Sequence, residues 1–423
     1  MSRHRESRDG PRLDRRWFIQ SAGAGIAGAT VIGGASDPAG ATTPQLTPQP
    51  SVPAGDATLA PVSFHGPHQA GILTPKPPAA LFAAFDVVAS SPSELKELFQ
   101  VLTSQARFLT AGGSPPDLGT GSPPSDSGIL GPVVPADALT VTLSLGSTLF
   151  DDRFRIADRK PRHLTRMEPF PNDDLDPTQC HGDLMLQICA GSLDTTVHAL
   201  RLLAKHTRGG MQARYRVDGF TSPPRPDGVP RNLLGFNDGI ANPRVQTPEL
   251  ANVLLWAGSD EPIWAHGGSY QVVRIIRMFV EFWDRVSLEE QENMIGRRRD
   301  NGAPLTGNEQ DDVPDYANDP TGEVIPLTAH IRLANPRTAD TSLSQILRRG
   351  FNYDRGFDNV GNLDMGLIFV CYQQDPGRQF ITVQNRLASE PLVDYISPIG
   401  GGYFFALPGV RDENDWYGRQ LLT

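Results

Sequence analysis

The chain has 423 residues, a formal charge of −10 and 39% hydrophobic residues. That length suits one large domain or two ordinary ones with a real core. The acidic balance argues against nucleic acid as a partner, since nucleic acid selects a basic surface. Cys180, Cys189 and Cys371 are the three cysteines. An odd count, with Cys189 and Cys371 inside apolar runs, reads as buried thiols and not as a disulfide framework, and the spacing fits no zinc site.

At the N-terminus, "DRRWFIQ" (14–20) precedes a small, uncharged apolar run (21–35), and "AGA" (39–41) gives a small-x-small cleavage pattern. Arg15-Arg16 followed at once by Trp17-Phe18 resembles a twin-arginine export signal; an ordinary secretory signal and a basic tail are the alternatives. The apolar run is too short and too rich in glycine to form a stable membrane span. The expectation is a signal peptide over 1–41, read by the twin-arginine export machinery, with delivery to the periplasm, the cell envelope or the exterior. That route carries folded proteins, which fits a cofactor loaded before export. Residues 42–62, rich in Pro, Ala, Thr and Gly, read as a disordered linker.

Ordered structure is expected from 63. "AALFAAFDVVA" (79–89) is a buried strand. "SPSELKELFQVLTSQARFL" (91–109) is the clearest helix, with Ser91 as cap, Pro92 in the first turn, Glu94 completing a capping box and Leu95, Leu98, Phe99, Leu102, Ala106 and Leu109 on one face. Residues 112–128 are a loop, 139–146 and 184–190 strands, and 193–206 a helix. "TSPPRPDG" (221–228) breaks the chain, which places a boundary between an N-terminal domain (63–225) and a C-terminal domain (226–423). In the second, 269–283 is a strand-rich run, 287–295 a short helix capped by Ser287 and Glu290, 366–373 a central strand, and 394–408 closes the fold. Strands and helices in mixed order in both halves imply an α+β protein.

Three stretches carry chemistry. In "LLGFNDGIANP" (233–243), Gly235 and Gly239 bracket Asp238. On its own this acid reads either as an Asx-turn residue or as a group held to face a reagent. "HIRLANPR" (330–337) holds His330, one of nine histidines, most of which in any chain are structural. "ILRRGFNY" (346–353) holds Arg348, 18 residues beyond His330. Together with "HQAGI" (68–72), "FPNDDLDPTQCHGDLMLQICA" (170–190), "EFWDR" (281–285), "DVPDYANDP" (312–320), "LDMGLIFVCYQ" (363–373) and "PIGGGYFFALPGV" (398–410), they resemble the dye-decolourising peroxidases, and within them the bacterial deferrochelatase/peroxidase branch. The likeness runs through nearly all of the chain after the linker.

The resemblance implies two ferredoxin-like halves with antiparallel sheets, of the dimeric α+β barrel type, and one haem b per chain bound in the C-terminal half. It makes His330 the axial ligand of the haem iron, its other ring nitrogen held by an acid that one sequence does not identify. Asp238 becomes the distal base for hydrogen peroxide, and the flanking glycines let the loop approach the porphyrin closely. Arg348 becomes the distal cation that stabilises charge on the departing oxygen. Arg337 and Arg297 pair with the haem propionates. Gly239, Ile240 and Ala241 line the haem face, and Asn335 and Pro336 shape the ligand side. His65, His68 and His181 are expected to be structural, with His181 the chief rival to His330, Arg349 to lie at the surface, and Tyr353 and Tyr372 to lie near the haem-binding segments, as core residues or on a path for electrons to the surface.

The implied activity is peroxide-dependent one-electron oxidation of small aromatic donors such as dyes and phenols. Two other readings remain: a deferrochelatase that releases iron and leaves the porphyrin intact, and a non-catalytic haem carrier or sensor, which has no need of an Asp–Arg pair. The resemblance leaves room for iron-uptake partners and for a homo-oligomer.

Overall fold

The computed structural model describes residues 59–225, 228–245 and 247–423. The export signal expected over 1–41 and most of the linker lie outside the described residues.

The first half runs β1 (Ala79–Val87), α1 (Pro92–Ala111), β2 (Thr140–Gly146), β3 (Leu184–Ala190), α2 (Leu193–His206) and β4 (Met211–Phe220). The second runs α3 (Pro248–Leu254), β5 (Ser269–Met278), α4 (Val280–Trp283), α5 (Leu288–Ile295), α6 (His330–Ala334), β6 (Leu347–Arg348), β7 (Phe351–Phe357), β8 (Leu363–Gln373), α7 (Thr382–Leu387), β9 (Ile396–Ala406) and α8 (Arg419–Leu422). Within the first half the strands pair in the order β2-β3-β1-β4; in the second they pair β9-β5-β8-β7. Each is the order of a ferredoxin-like unit, so the α+β expectation and its two halves stand in the topology. β2 joins β9 over Ser144–Gly146, β4 joins β7 at Phe220↔Asn352, and every strand ladder is antiparallel. The two half-sheets thereby close edge to edge into a barrel, which leaves few free edges.

Alternation along the strands separates two cores. Phe82, Ala84, Met185, Val217, Val273, Ile275, Phe351, Ile368 and Phe404 form one cluster. Residues of the opposite parity in the first half, among them Leu81, Ala83, Leu143, Leu186 and Ile188, pack with Leu95, Leu98, Phe99 and Leu102 of α1. In β5 and β8 the opposite parity is Arg274, Ile276, Met278, Leu367 and Phe369, and these side chains form one wall of a cavity.

Local expectations were met with small shifts. The Ser91 hydroxyl accepts from the Glu94 amide at 3.3 Å, but the Glu94 carboxylate returns to the Ser90 amide at 2.7 Å, one residue earlier than a reciprocal box requires. Ser287 caps α5 through the Glu290 amide. The strand-rich run 269–283 ends at Met278 and turns into α4. Strand β4 had no counterpart in the sequence reading. Its charged residues, Arg214, Arg216 and Asp218, alternate with buried Tyr215, Val217 and Gly219, a period of two that was legible but masked by charge. The three cysteines are buried and free.

Candidate functional site

The cavity lies between the β5–β8 wall and the segments bearing α6 and α7. Ile240, Ile295, Ile331, Phe380, Val383 and Leu392 contribute apolar surface, and Asp238, Arg297, His330, Arg337, Arg348 and Glu390 contribute charge. Of the residues anticipated for a cofactor, Ile240, Ala241, Arg297, His330, Asn335, Arg337 and Arg348 line it together with Asp238. Gly239 and Pro336 are not among the lining residues.

His330 opens α6. Its Nδ1 lies 2.7 Å from Oε2 of Glu390, a carboxylate only 3% exposed at the head of the turn before β9. Glu390 is therefore the acid that the sequence left unidentified. With Nδ1 carrying the proton toward Glu390, the Nε2 lone pair of His330 is free to bind a metal. Burial opposes a charge on this imidazole, but the carboxylate beside it outweighs burial and holds the pKa above its ordinary value.

Asp238 sits in a loop shaped by its own sequence. The Asn232 side chain accepts from the amides of Leu234 and Phe236, and Gly235 turns at φ 87°. Gly239 follows Asp238 at φ 108°, while a Cβ there would meet nothing nearer than 3.7 Å. The backbone angle, not crowding by the protein, is what requires glycine at that position. The Asp238 carboxylate does not fold back on its own loop: Oδ1 lies 3.0 Å from Nη1 of Arg348.

Asn242, within the same sequence motif, was not anticipated. Its Nδ2 donates to the Arg348 carbonyl at 2.8 Å, and its Oδ1 accepts from the Arg348 amide at 3.0 Å. This two-point clasp ties the Asp238 loop to β6 and sets the distance between acid and guanidinium. Arg349 departs from expectation. It is buried, not at the surface, and its guanidinium donates to the carbonyls of Thr74 and Pro75. Adjacent residues on a strand point to opposite faces, so Arg348 meets the cavity and Arg349 enters the packed interior.

Arg297 is buried and donates to the carbonyls of Gly302 and Gln310, with no carboxylate partner among the described residues. Burial and the nearby Arg337 guanidinium lower its pKa. The hydroxyl of Tyr316, in the same lining, is buried without a hydrogen-bond partner among the described residues. Two cations and an orphaned donor at one part of the cavity suit anionic substituents. With the free imidazole nitrogen and the apolar walls, this donor set fits a haem: one axial nitrogen, a greasy slot and a cationic locus for propionates. Arg274 also reaches the lining, ion-paired with buried Asp173; no motif had pointed to it.

His68 and His181 behave structurally, as expected. His68 donates from Nδ1 to the Gly267 carbonyl, 2.7 Å away, and stacks on Trp256 with ring centroids 3.6 Å apart. His181 accepts from Arg166 Nε at 3.2 Å. Tyr372 is buried, its hydroxyl held by Gln187 and Gln271, and Tyr353 is buried near Asp364.

The domain family described as "Dyp-type peroxidase, N-terminal" matches residues 69–221, and "Dyp-type peroxidase, C-terminal" matches 229–411. A curated deferrochelatase of Escherichia coli (strain K12) is 50% identical over 404 residues, covering 94% of this chain and 95% of its own length. Among solved structures, a DyP-type peroxidase from Cellulomonas bogoriensis is 36% identical with a TM-score of 0.77. Ferric DtpA from Streptomyces lividans is 33% identical with a TM-score of 0.77. Each of these two alignments covers 86% of this chain and 98% of the other.

Proposed function

Since this chain belongs to the Dyp-type peroxidase family and is a haem-dependent enzyme, we propose that the cavity beside His330 is where hydrogen peroxide is reduced at the expense of small aromatic donors. The single observation that carries the reading is the arrangement of Asp238, Arg348 and His330 around one apolar cavity. His330 Nε2 would hold the iron, and Arg297, Arg337 and Tyr316 would hold the propionates. Haem bound there would supply the redox capacity for two-electron reduction of peroxide and one-electron oxidation of donors.

The chain's own residues do the rest. Arg348 occupies Oδ1 of Asp238 and leaves Oδ2 to take a proton from one peroxide oxygen and return it to the other, which departs as water. The Arg348 guanidinium stays charged when desolvated and offsets the negative charge that gathers on the departing oxygen. Glu390 fixes the tautomer and basicity of His330. The apolar walls exclude competing water, which strengthens each of these charge interactions.

A second reading, deferrochelatase, is favoured by the identity to relatives that carry that name. The same pocket would serve it. A haem carrier is disfavoured, because carriage alone gives no reason to hold an acid and a guanidinium 3.0 Å apart in the cavity. Export by the twin-arginine machinery to the periplasm or cell envelope is part of the proposal and rests on Arg15-Arg16 and the run that follows. The visible spectrum of purified full-length protein, before and after one equivalent of peroxide, tests the main reading. A shifted Soret band that a phenol or dye restores supports peroxidase turnover. An unchanged spectrum overturns it. Free porphyrin fluorescence appearing without peroxide would select the deferrochelatase reading instead.

A further inference from the structure

Away from the cavity, the loop before the 170–183 segment, the turn between α3 and β5, and the turn that follows β8 meet at His163, Asp260, Glu261 and Asp375. His163 Nε2 lies 3.4 Å from Asp260 Oδ2 and 3.9 Å from Glu261 Oε1, and its Nδ1 lies 3.7 Å from Asp375 Oδ1. We propose that His163, Asp260 and Glu261 form a binding site for a divalent first-row transition metal, with Asp375 orienting the imidazole from behind.

The spacing fits. Tetrahedral ligands about 2.1 Å from a zinc-sized ion stand roughly 3.4 Å apart, so the His163–Asp260 distance needs no adjustment and the Glu261 distance needs a small contraction. One imidazole with carboxylates is a donor set suited to zinc, manganese or iron(II). The charge balance asks for a cation. The Glu261 side chain is 1% exposed, yet among the described residues neither it, Asp260 nor Asp375 pairs with a lysine or arginine. A buried carboxylate without a counter-ion is costly, and a single imidazole answers at most one of three negative charges.

The groups behind the ligands are also in place. Glu261 accepts from the Tyr270 hydroxyl through Oε1 and from the Arg162 amide at 2.8 Å through Oε2. The Tyr270 oxygen in turn accepts from the His163 amide at 2.9 Å. Asp375 is held by the amides of Gly377 and Arg378. Hydrogen bonds of this kind fix ligand orientation and set affinity in metal sites. An ion here would pin together three segments that are distant in sequence and would stabilise the folded chain by mass action.

The test uses the full-length, haem-loaded protein, stripped of loose metal with a chelator, and zinc as probe, counted per chain by elemental analysis and titrated calorimetrically. The expected result is one zinc per chain in the wild type. His163→Ala and Asp260→Asn should each weaken its binding at least tenfold and abolish the rise in melting temperature that zinc produces. Asp260 is 55% exposed, so its substitution leaves the core intact, and an unchanged Soret band and zinc-free melting temperature would confirm that. Failure of the wild type to take up zinc at micromolar concentration overturns the proposal. So does uptake by both variants equal to that of the wild type, which would place the ion elsewhere.

Discussion

Glu390 Oε2 stands 2.7 Å from His330 Nδ1, across 60 residues of chain. A carboxylate so placed makes the imidazole a stronger donor to whatever its Nε2 binds. Glu390→Gln keeps the shape and loses the charge. It should retain haem, raise the reduction potential of the iron, and lower peroxidase turnover about 10- to 100-fold, the range typical of such partners. His330→Ala should purify with little haem. An unaltered potential in the first variant, or a normal Soret band in the second, would contradict the assigned roles.

Asp238 and Arg348 are expected to act as a unit. Asp238→Asn and Arg348→Leu should both keep haem. Each should slow the spectral change induced by peroxide, by roughly 10²–10⁴ for the base and about 10²–10³ for the cation. Because the two groups are in contact, the double variant should lose less than the product of the single losses. Stopped-flow spectra measure all three. Wild-type rates in both single variants would mean that neither residue takes part.

His181 offers a prediction about pH and stability. Burial, then the Arg166 and Arg214 guanidiniums, push its pKa down from 6.5 to about 4. Between these values the unfolded chain binds a proton that the folded chain does not. Stability should therefore fall as pH drops from about 6.5 toward 4 and be indifferent to this group above 6.5. His181→Asn removes the titration while suiting the left-handed backbone at φ 61°. Its melting temperature should decline less steeply across that window than that of the wild type. Parallel declines would show that His181 carries no part of the acid sensitivity.

Export is checked in cells. Changing Arg15 and Arg16 both to Lys should leave precursor in the cytoplasm, since the targeting receptor reads the arginine pair. Mature protein appearing outside the membrane in normal amounts would remove the twin-arginine assignment.

Much of this protein is written locally. Short apolar runs marked β1, β2, β3 and β8, and the caps and one-faced apolar period of 91–109 marked α1, because these signals report which neighbours along the chain share a face. Asp238, His330 and Arg348 stood out for a different reason: the ordered set of short motifs that hold them resembles a known family, without which each also suits an ordinary structural role. The tertiary structure decided what links distant segments. It closed the barrel where β2 meets β9 and β4 meets β7, chose Glu390 as the partner of His330, used Asn242 to clasp Arg348, and sent Arg349 inward. None of these leaves a periodic trace, because a single pair of polar side chains meeting across 60 or 106 residues depends on strand register and packing. The same holds for His163, Asp260, Glu261 and Asp375, four letters that no motif singled out in the sequence and that become a cluster only when three loops converge on the ends of β5 and β8.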